Sequence, residues 1–304
     1  MITVTRNVAT ILFFVITAIN LAIAFYRDKF MYHKYATRSS LYSADTLKWK
    51  KLIDDYPKQE LIEAKTIIDS LSDFKDKSTT SKVLEIGKLF YHRFHDQIGK
   101  PSPLTRAVSP LNQFKNASAS DSVRLWCGDF AFMFVFFCWA EGIPCRVVGI
   151  MNPGNHHVLN ECYLRESKEW VLVDVTTNHL LFFNKNRNRF ENLLDVRDSS
   201  FHSLQSFQLN DGEIVTTPFA GGFYDRYFGN GKPLHYYYRI NSSEIYKQGE
   251  KITRYFLPVA WYEELSRTHP GNFWFYIKQF FVLLWLISLA VVIKKMTRSK
   301  SGLS

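Results

Sequence analysis

The stretch Arg124–Gly142 reads RLWCGDFAFMFVFFCWAEG. From Cys127 the run is almost wholly apolar, and Gly142 stands where a helix would stop. It is long for a strand, and Ala-Glu-Gly closes it as helices close. The pattern therefore predicts a buried helix with Cys127 in its first turn. Pro144–Met151 (PCRVVGIM), His157–Arg165 (HVLNECYLR) and Glu169–Asp174 (EWVLVD) each read as a strand. Glu166-Ser167-Lys168 is a short hairpin connection between the last two. A helix followed by antiparallel strands is an α+β pattern. Upstream, residues 43–72 read as helix in two pieces broken near Pro57, with Ser43 as an N-cap. Residues 81–97 read as a better helix, with Val83, Ile86, Leu89, Phe90 and Phe94 on one face. Gly99–Ser122 is polar and contains prolines, and reads as a connecting loop.

A cysteine at a helix N-terminus meets the positive end of the helix dipole, which favours the thiolate. A nucleophilic cysteine also needs a base, and the base needs an orienting acceptor. If the second and third strands pair, His157 and Asp174 fall near each other at one edge. A helix N-terminus packed there completes a Cys127–His157–Asp174 constellation, the logic of the serine-protease triad with sulfur as nucleophile. The bland readings are a core thiol for Cys127 and a turn acid for Asp174. Cys138, Cys145 and Cys162 read as core thiols, with one Cys138–Cys145 or Cys145–Cys162 bridge conceivable. His156 and His157 face opposite sides of a strand, so one alone can meet Cys127. Asp129 reads as an acid complementing the helix dipole. Arg146 reads as a structural partner for a carboxylate, and Glu161 as support for the fold.

Four pieces stand in a telling order: Cys-Gly-Asp-Phe-Ala from Cys127, Gly-Ile-Pro-Cys-Arg from Gly142, His-Val-Leu-Asn-Glu from His157, and Trp-Val-Leu-Val-Asp-Val-Thr from Trp170. Over roughly residues 80–180 the chain resembles the transglutaminase-like superfamily. The resemblance implies a papain-like core, with the cysteine on a helix facing a small antiparallel sheet. It implies Cys127 as nucleophile, His157 (by its spacing to Glu161) as base and Asp174 as orienter. Arg124 to Ala131 is also similar to the cysteine motif of peptide:N-glycanases. Those enzymes usually carry zinc-binding cysteine pairs that this sequence lacks, so that activity is not carried over. Leu159 stands where the family often has Trp, and Trp126 where tissue transglutaminases often have Gln. The oxyanion hole is thus left open: the Cys127 N–H is one donor, and Gln113 is a candidate for a second.

The chain has 304 residues and a formal net charge of +10, which favours anionic surroundings such as phospholipid headgroups or acidic polymers, or is simply a solvated basic surface. There is no nucleic-acid motif, glycine-rich phosphate loop or helical repeat. None of the four cysteines forms a C-x-x-C pair, so zinc is not expected, and the expected chemistry implies no metal or organic cofactor. Val8–Phe25 (VATILFFVITAINLAIAF) is eighteen residues without a charge, and Phe273–Ile293 (FWFYIKQFFVLLWLISLAVVI) is a second candidate span, followed by the basic tail KKMTRSK. Two transmembrane helices are therefore expected to flank the core; the alternatives are a cleaved signal peptide at Ala22-Ile23-Ala24 or buried core helices. Lys278 would snorkel to an interface. The tail argues for cytoplasmic termini, with the middle of the chain outside the cytoplasm.

This organisation reads as an anchor over 1–28, a helical segment over 29–80, a catalytic core over 81–180, an aromatic-rich extension over 181–270 and a second anchor with its tail over 271–304. Hairpins are expected in the extension at Asp211-Gly212 and at Gly221, Gly222, Gly229 and Gly231. It could bind sugar rings or lie on a membrane, or be a small β-rich subdomain with its own aromatic core. The expected function is an amidase, peptidase or acyltransferase that works through a thioester on Cys127. Its expected partners are a peptide, protein or amide-bearing cell-surface polymer as substrate, membrane lipids and envelope proteins, with no nucleic acid. The rival is an inactive binding or assembly module at the membrane.

Overall fold

The computed structural model describes residues 2–26, 30, 32–54, 56–71, 74, 76–101, 108–152, 154–228, 235–239, 262–266 and 272–301. Its elements in chain order are α1 (Ile2–Phe25), β1 (Lys34–Tyr35), α2 (Arg38–Leu41), α3 (Lys58–Leu71), α4 (Thr79–Phe94), α5 (Pro110–Ala119), α6 (Cys127–Ala140), β2 (Cys145–Asn152), β3 (Asn155–Leu164), β4 (Glu169–Val173), β5 (Leu181–Asn184), β6 (Arg189–Phe190), α7 (Leu193–Asp198), β7 (Leu204–Asn210), β8 (Glu213–Pro218), α8 (Asp225–Phe228), β9 (His235–Arg239), β10 (Tyr262–Ser266) and α9 (Phe273–Ser301). Two compact units result, one of Met1–Lys34, Ile245–Ala260 and Thr268–Ser304, the other of Tyr35–Glu244 and Trp261–Arg267.

In the larger unit, α6 is the central helix. It is apolar on all sides, as a helix enclosed by neighbours must be. It packs on α3, α4 and α5 and on β2 and β3. Phe130, Phe134, Phe136 and Phe137 are fully buried, each side chain contributing about 2–3 kcal/mol. Its N-terminus is fixed by Asp129, whose carboxylate accepts the Trp126 N–H at 2.8 Å. Its C-terminus closes in a Schellman motif: Gly142 takes φ +69, and the N–H groups of Ile143 and Gly142 donate to the Cys138 and Trp139 carbonyls.

The larger sheet is ordered β1-β10-β9-β2-β3-β4, and a smaller one β6-β5-β7-β8. In the hairpin of β2 and β3, Cys145 lies opposite Cys162 and Ile150 opposite His157; β4 then pairs Val173 with Asn160. A fully buried ion pair ties the sheet to the preceding segment. Arg146 donates to Glu161 at 2.5 and 3.0 Å and to the Leu41 carbonyl at 2.5 Å, within 4.1–5.0 Å of the rings of Tyr42, Trp49, Trp170 and Tyr238. Glu161 also accepts from Tyr42 and from the Leu193 N–H. The expected roles of Arg146 and Glu161 meet in this pair.

Two local expectations are corrected. Gly99–Ser122 is not all loop, because Ser109 caps α5 and Pro110 opens it. The lack of a strong apolar stripe hid this helix, while Ser-Pro is an N-terminus signal that the sequence does carry. Ser43 caps no helix: the first piece is a 3-10 turn over Leu47–Leu52, and α2 begins earlier with Thr37 as its cap. In the extension, Asp211 and Gly212, both at positive φ, turn β7 into β8 as expected. Gly221 and Gly222 instead lead into a 3-10 turn ending at Tyr224, while Gly229 and Gly231 fall outside the described residues. Phe182, Phe219 and Tyr224 share a buried cluster with Val148 and Leu159 of the main sheet, so the extension's aromatics do not form a core of their own.

In the smaller unit, α1 and α9 run antiparallel. Trp285 donates to Thr17 Oγ1 at 2.9 Å, Asn20 to the Phe281 carbonyl at 3.3 Å, and Lys278 to the Phe30 carbonyl at 2.9 Å. Among the described residues, one helix is long and apolar enough to cross a membrane, Phe273–Lys295, with mean hydropathy 2.1. This corrects the expectation of two such helices. The apolar stretch of α1 runs over Thr10–Phe25, about 24 Å at ~1.5 Å per residue, short of the ~30 Å hydrocarbon layer.

Candidate active site

Cys127 is the first residue of α6 and is half-buried, whereas the other three cysteines are fully buried. His157 is near the start of β3 and points inward, while His156 points out and stacks on Tyr237. Asp174 follows β4 directly. Its backbone pairs with His179 in both directions, which pins the carboxylate at the sheet edge. His157 Nε2 lies 2.7 Å from Asp174 Oδ2, both side chains buried. Cys127 lies beside His157 and contributes to raising its pKa. With Nε2 engaged by the acid, Nδ1 is the ring nitrogen left for sulfur. The structure thus brings Cys127, His157 and Asp174 together at one edge of the sheet. Gln113 is buried on α5, one of the helices packed on α6.

Two further residues of the site were not visible in the sequence. Thr177 Oγ1 donates to Asp174 Oδ2 at 2.7 Å, and the Tyr224 hydroxyl donates to the same oxygen. Tyr224 is fully buried, 50 positions beyond the acid, among Phe182, Phe219, Phe223 and Phe228. Phe223 meets the His157 ring edge-on at 4.9 Å, and Tyr227 lies 6.0 Å from it. Only Gly221-Gly222 signalled a turn here, and nothing local pointed at Asp174.

The electrostatics follow from this wiring. Burial alone would push the His157 imidazole down. The charge and hydrogen bond of Asp174, joined by the bond to Cys127, override it and raise the pKa to about 10. Burial works to raise Asp174, but the charge of His157 and bonds from His157, Tyr224 and Thr177 hold it below the usual carboxylate range. Burial pushes Tyr224 up, as do the charge and bond of Asp174, so its hydroxyl stays a donor. The site can therefore hold His157 as an imidazolium at neutral pH.

Residues 112–175 match the family model of the transglutaminase-like superfamily core. The matched segment contains Cys127, His157 and Asp174 and ends before Thr177 and Tyr224. No curated protein matches the chain. Among solved structures it is similar to a candidate cysteine protease from Cytophaga hutchinsonii, at 16% identity and TM-score 0.30, over 57% of this chain and 58% of that one. The chain therefore spans under two thirds of that structure's length. The family match thus falls on the segment of mixed helix and antiparallel sheet that holds the candidate site.

Proposed function

We propose that the chain is a membrane-tethered enzyme that cleaves or transfers an amide or peptide bond through a thioester on Cys127. The observation that carries this reading is the buried pair of Asp174 and His157 beside a half-buried cysteine at a helix N-terminus. With the thiol proton held on His157 as the imidazolium, the Cys127 thiolate attacks the carbonyl carbon. Backbone N–H groups of the first turn of α6, which have no intrahelical acceptor, stabilise the oxyanion, with Gln113 a second donor. The imidazolium then protonates the leaving amine, and a thioester remains. Water or an amine, deprotonated by His157, resolves it. No step calls for a metal or cofactor.

The tether is α9, packed against α1, with exposed Phe14, Leu21, Leu283 and Leu286 facing outward from the pair as lipid-facing side chains do. The basic tail favours cytoplasmic termini, with the catalytic unit outside the cytoplasm. Substrates are then peptides, proteins or amide-bearing polymers of the cell surface, with lipids and envelope proteins as neighbours.

The test is alkylation of the full chain in detergent with iodoacetamide across pH, beside Cys127→Ala and His157→Ala. Fast labelling of Cys127, slowed by His157→Ala, supports the reading. Addition of a fluorescent primary amine to a glutamine-containing peptide then separates transfer from hydrolysis. If Cys127 labels no faster than Cys138, Cys145 and Cys162, the enzyme reading fails and an inactive binding module takes its place.

A further inference from the structure

Three thiols outside the candidate site lie together. The Sγ atoms of Cys138, Cys145 and Cys162 fall within 4.8 Å of one another, with no exposure. Cys145 and Cys162 are directly opposed across β2 and β3, their sulfurs 3.2 Å apart; Cys138 on α6 is 4.0 Å from Cys162. The backbone shows which kind of opposed pair this is. The Tyr163 N–H donates to the Pro144 carbonyl, and Trp139 Nε1 takes the Cys145 carbonyl. Bonds on the flanking residues mark a non-hydrogen-bonded pair, where Cα atoms stand about 4.5 Å apart and side chains are closest. That spacing lies within the ~4.4–6.8 Å range of disulfides.

Two chemistries suit such a cluster. Zinc on three thiolates would leave one net negative charge in an apolar core, and structural zinc takes four ligands. Arg146 cannot offset that charge, because it is already matched by Glu161. A disulfide is neutral and adds no desolvation cost. Burial pushes the Cys138 and Cys145 thiols well up, while hydrogen bonds from those two thiols outweigh burial at Cys162 and hold it down at about 6.

We propose that Cys145 and Cys162 form a disulfide that staples β2 to the strand carrying His157, by exchange with a disulfide oxidant of the extracytoplasmic space. During folding, before the core closes, one thiolate of the pair attacks a sulfur of the oxidant and releases one thiol. The second attacks the mixed disulfide and releases the other. Two protons and two electrons pass to the oxidant, one S–S bond breaks and one forms. The oxidant rests on the extracytoplasmic placement, whereas the pairing does not depend on the activity of Cys127. The bridge restricts the unfolded chain and should raise the thermal midpoint of the full chain by roughly 5–10 °C over its reduced form.

The experiment blocks thiols with N-ethylmaleimide in denaturant at cell lysis, digests the full chain and reads the peptides by mass spectrometry. A second arm reduces the chain in denaturant and refolds it in detergent with glutathione disulfide before blocking. A Cys145 peptide joined to a Cys162 peptide, with Cys127 and Cys138 alkylated, is the expected result. Bridging in the second arm alone supports the pairing and refutes the extracytoplasmic placement. Four alkylated cysteines in both arms, a Cys138-linked peptide, or a metal ion retained in the native mass would each overturn the proposal. Comparing oxidised with reduced wild-type chain needs no variant that fails to fold.

Discussion

Tyr224→Phe isolates one hydroxyl. The ring is fully buried among phenylalanines, which the substitution leaves in place. What is lost is one of three donors to Asp174 Oδ2, leaving His157 and Thr177 at 2.7 Å each. A hydrogen bond to a charged group contributes about 1.5–3 kcal/mol. For a unit of this size that lowers the thermal midpoint by roughly 3–12 °C. The same energy favours the ionised acid over the neutral one, so the acid limb of the stability profile should move up by about one to two pH units. Labelling of Cys127 at pH 7 should change less than about tenfold, since Asp174 stays ionised and His157 keeps its bond. Thermal unfolding by tryptophan fluorescence from pH 3 to 8, with alkylation at pH 7, reads both. An unmoved acid limb with a midpoint within about 1 °C of wild type would refute the idea that Tyr224 holds the charged carboxylate.

The pair itself sets a pH window. His157 is raised, so its contribution is complete below its unfolded value of ~6.5 and is lost as pH climbs through about 10. Asp174 is depressed, so its contribution is present above ~3.9 and lost as pH falls. Stability from the pair should peak between about pH 4 and 6.5, and Asp174→Asn should flatten the profile in a thermal scan. Arg146→Met should cost about 3–5 kcal/mol by leaving Glu161 charged and buried, and adding Glu161→Leu should recover much of it in denaturant titrations. Gly149→Ala would drive a Cβ into the ring of Tyr237 on β9. It should cost about 1–3 kcal/mol, and Tyr237→Ala in the same chain should relieve it.

Legibility followed the range of the signal. The α6 helix and strands β2 to β4 were readable because each is a single apolar run closed by its own punctuation, Gly142 for the helix and Lys168 at positive φ for the hairpin. The order of Cys127, His157 and Asp174 was readable because short connections place their elements side by side. The α5 helix was missed because its buried face, Leu111, Phe114 and Ala117, is interrupted by polar residues. Thr177 lay one residue beyond the resemblance. Tyr224 could not be found at all, since its link to Asp174 depends on the path of β5 to β8 and on no local pattern. Arg146 was expected to pair, but its aromatic surroundings come from three separate segments.

Tyr224 also bears on where this catalytic unit can be cut. A segment ending at residue 175 would contain the three aligned side chains and look complete on paper. It would lack the hydroxyl that steadies the acid, the Phe223 edge against the imidazole, and β9, which flanks β2 in the sheet. Such a piece grafted onto another scaffold would carry its reagents without their mounting. The smallest portable version of the chemistry therefore runs well past the last aligned residue, and any attempt to shorten the protein should preserve its second half first.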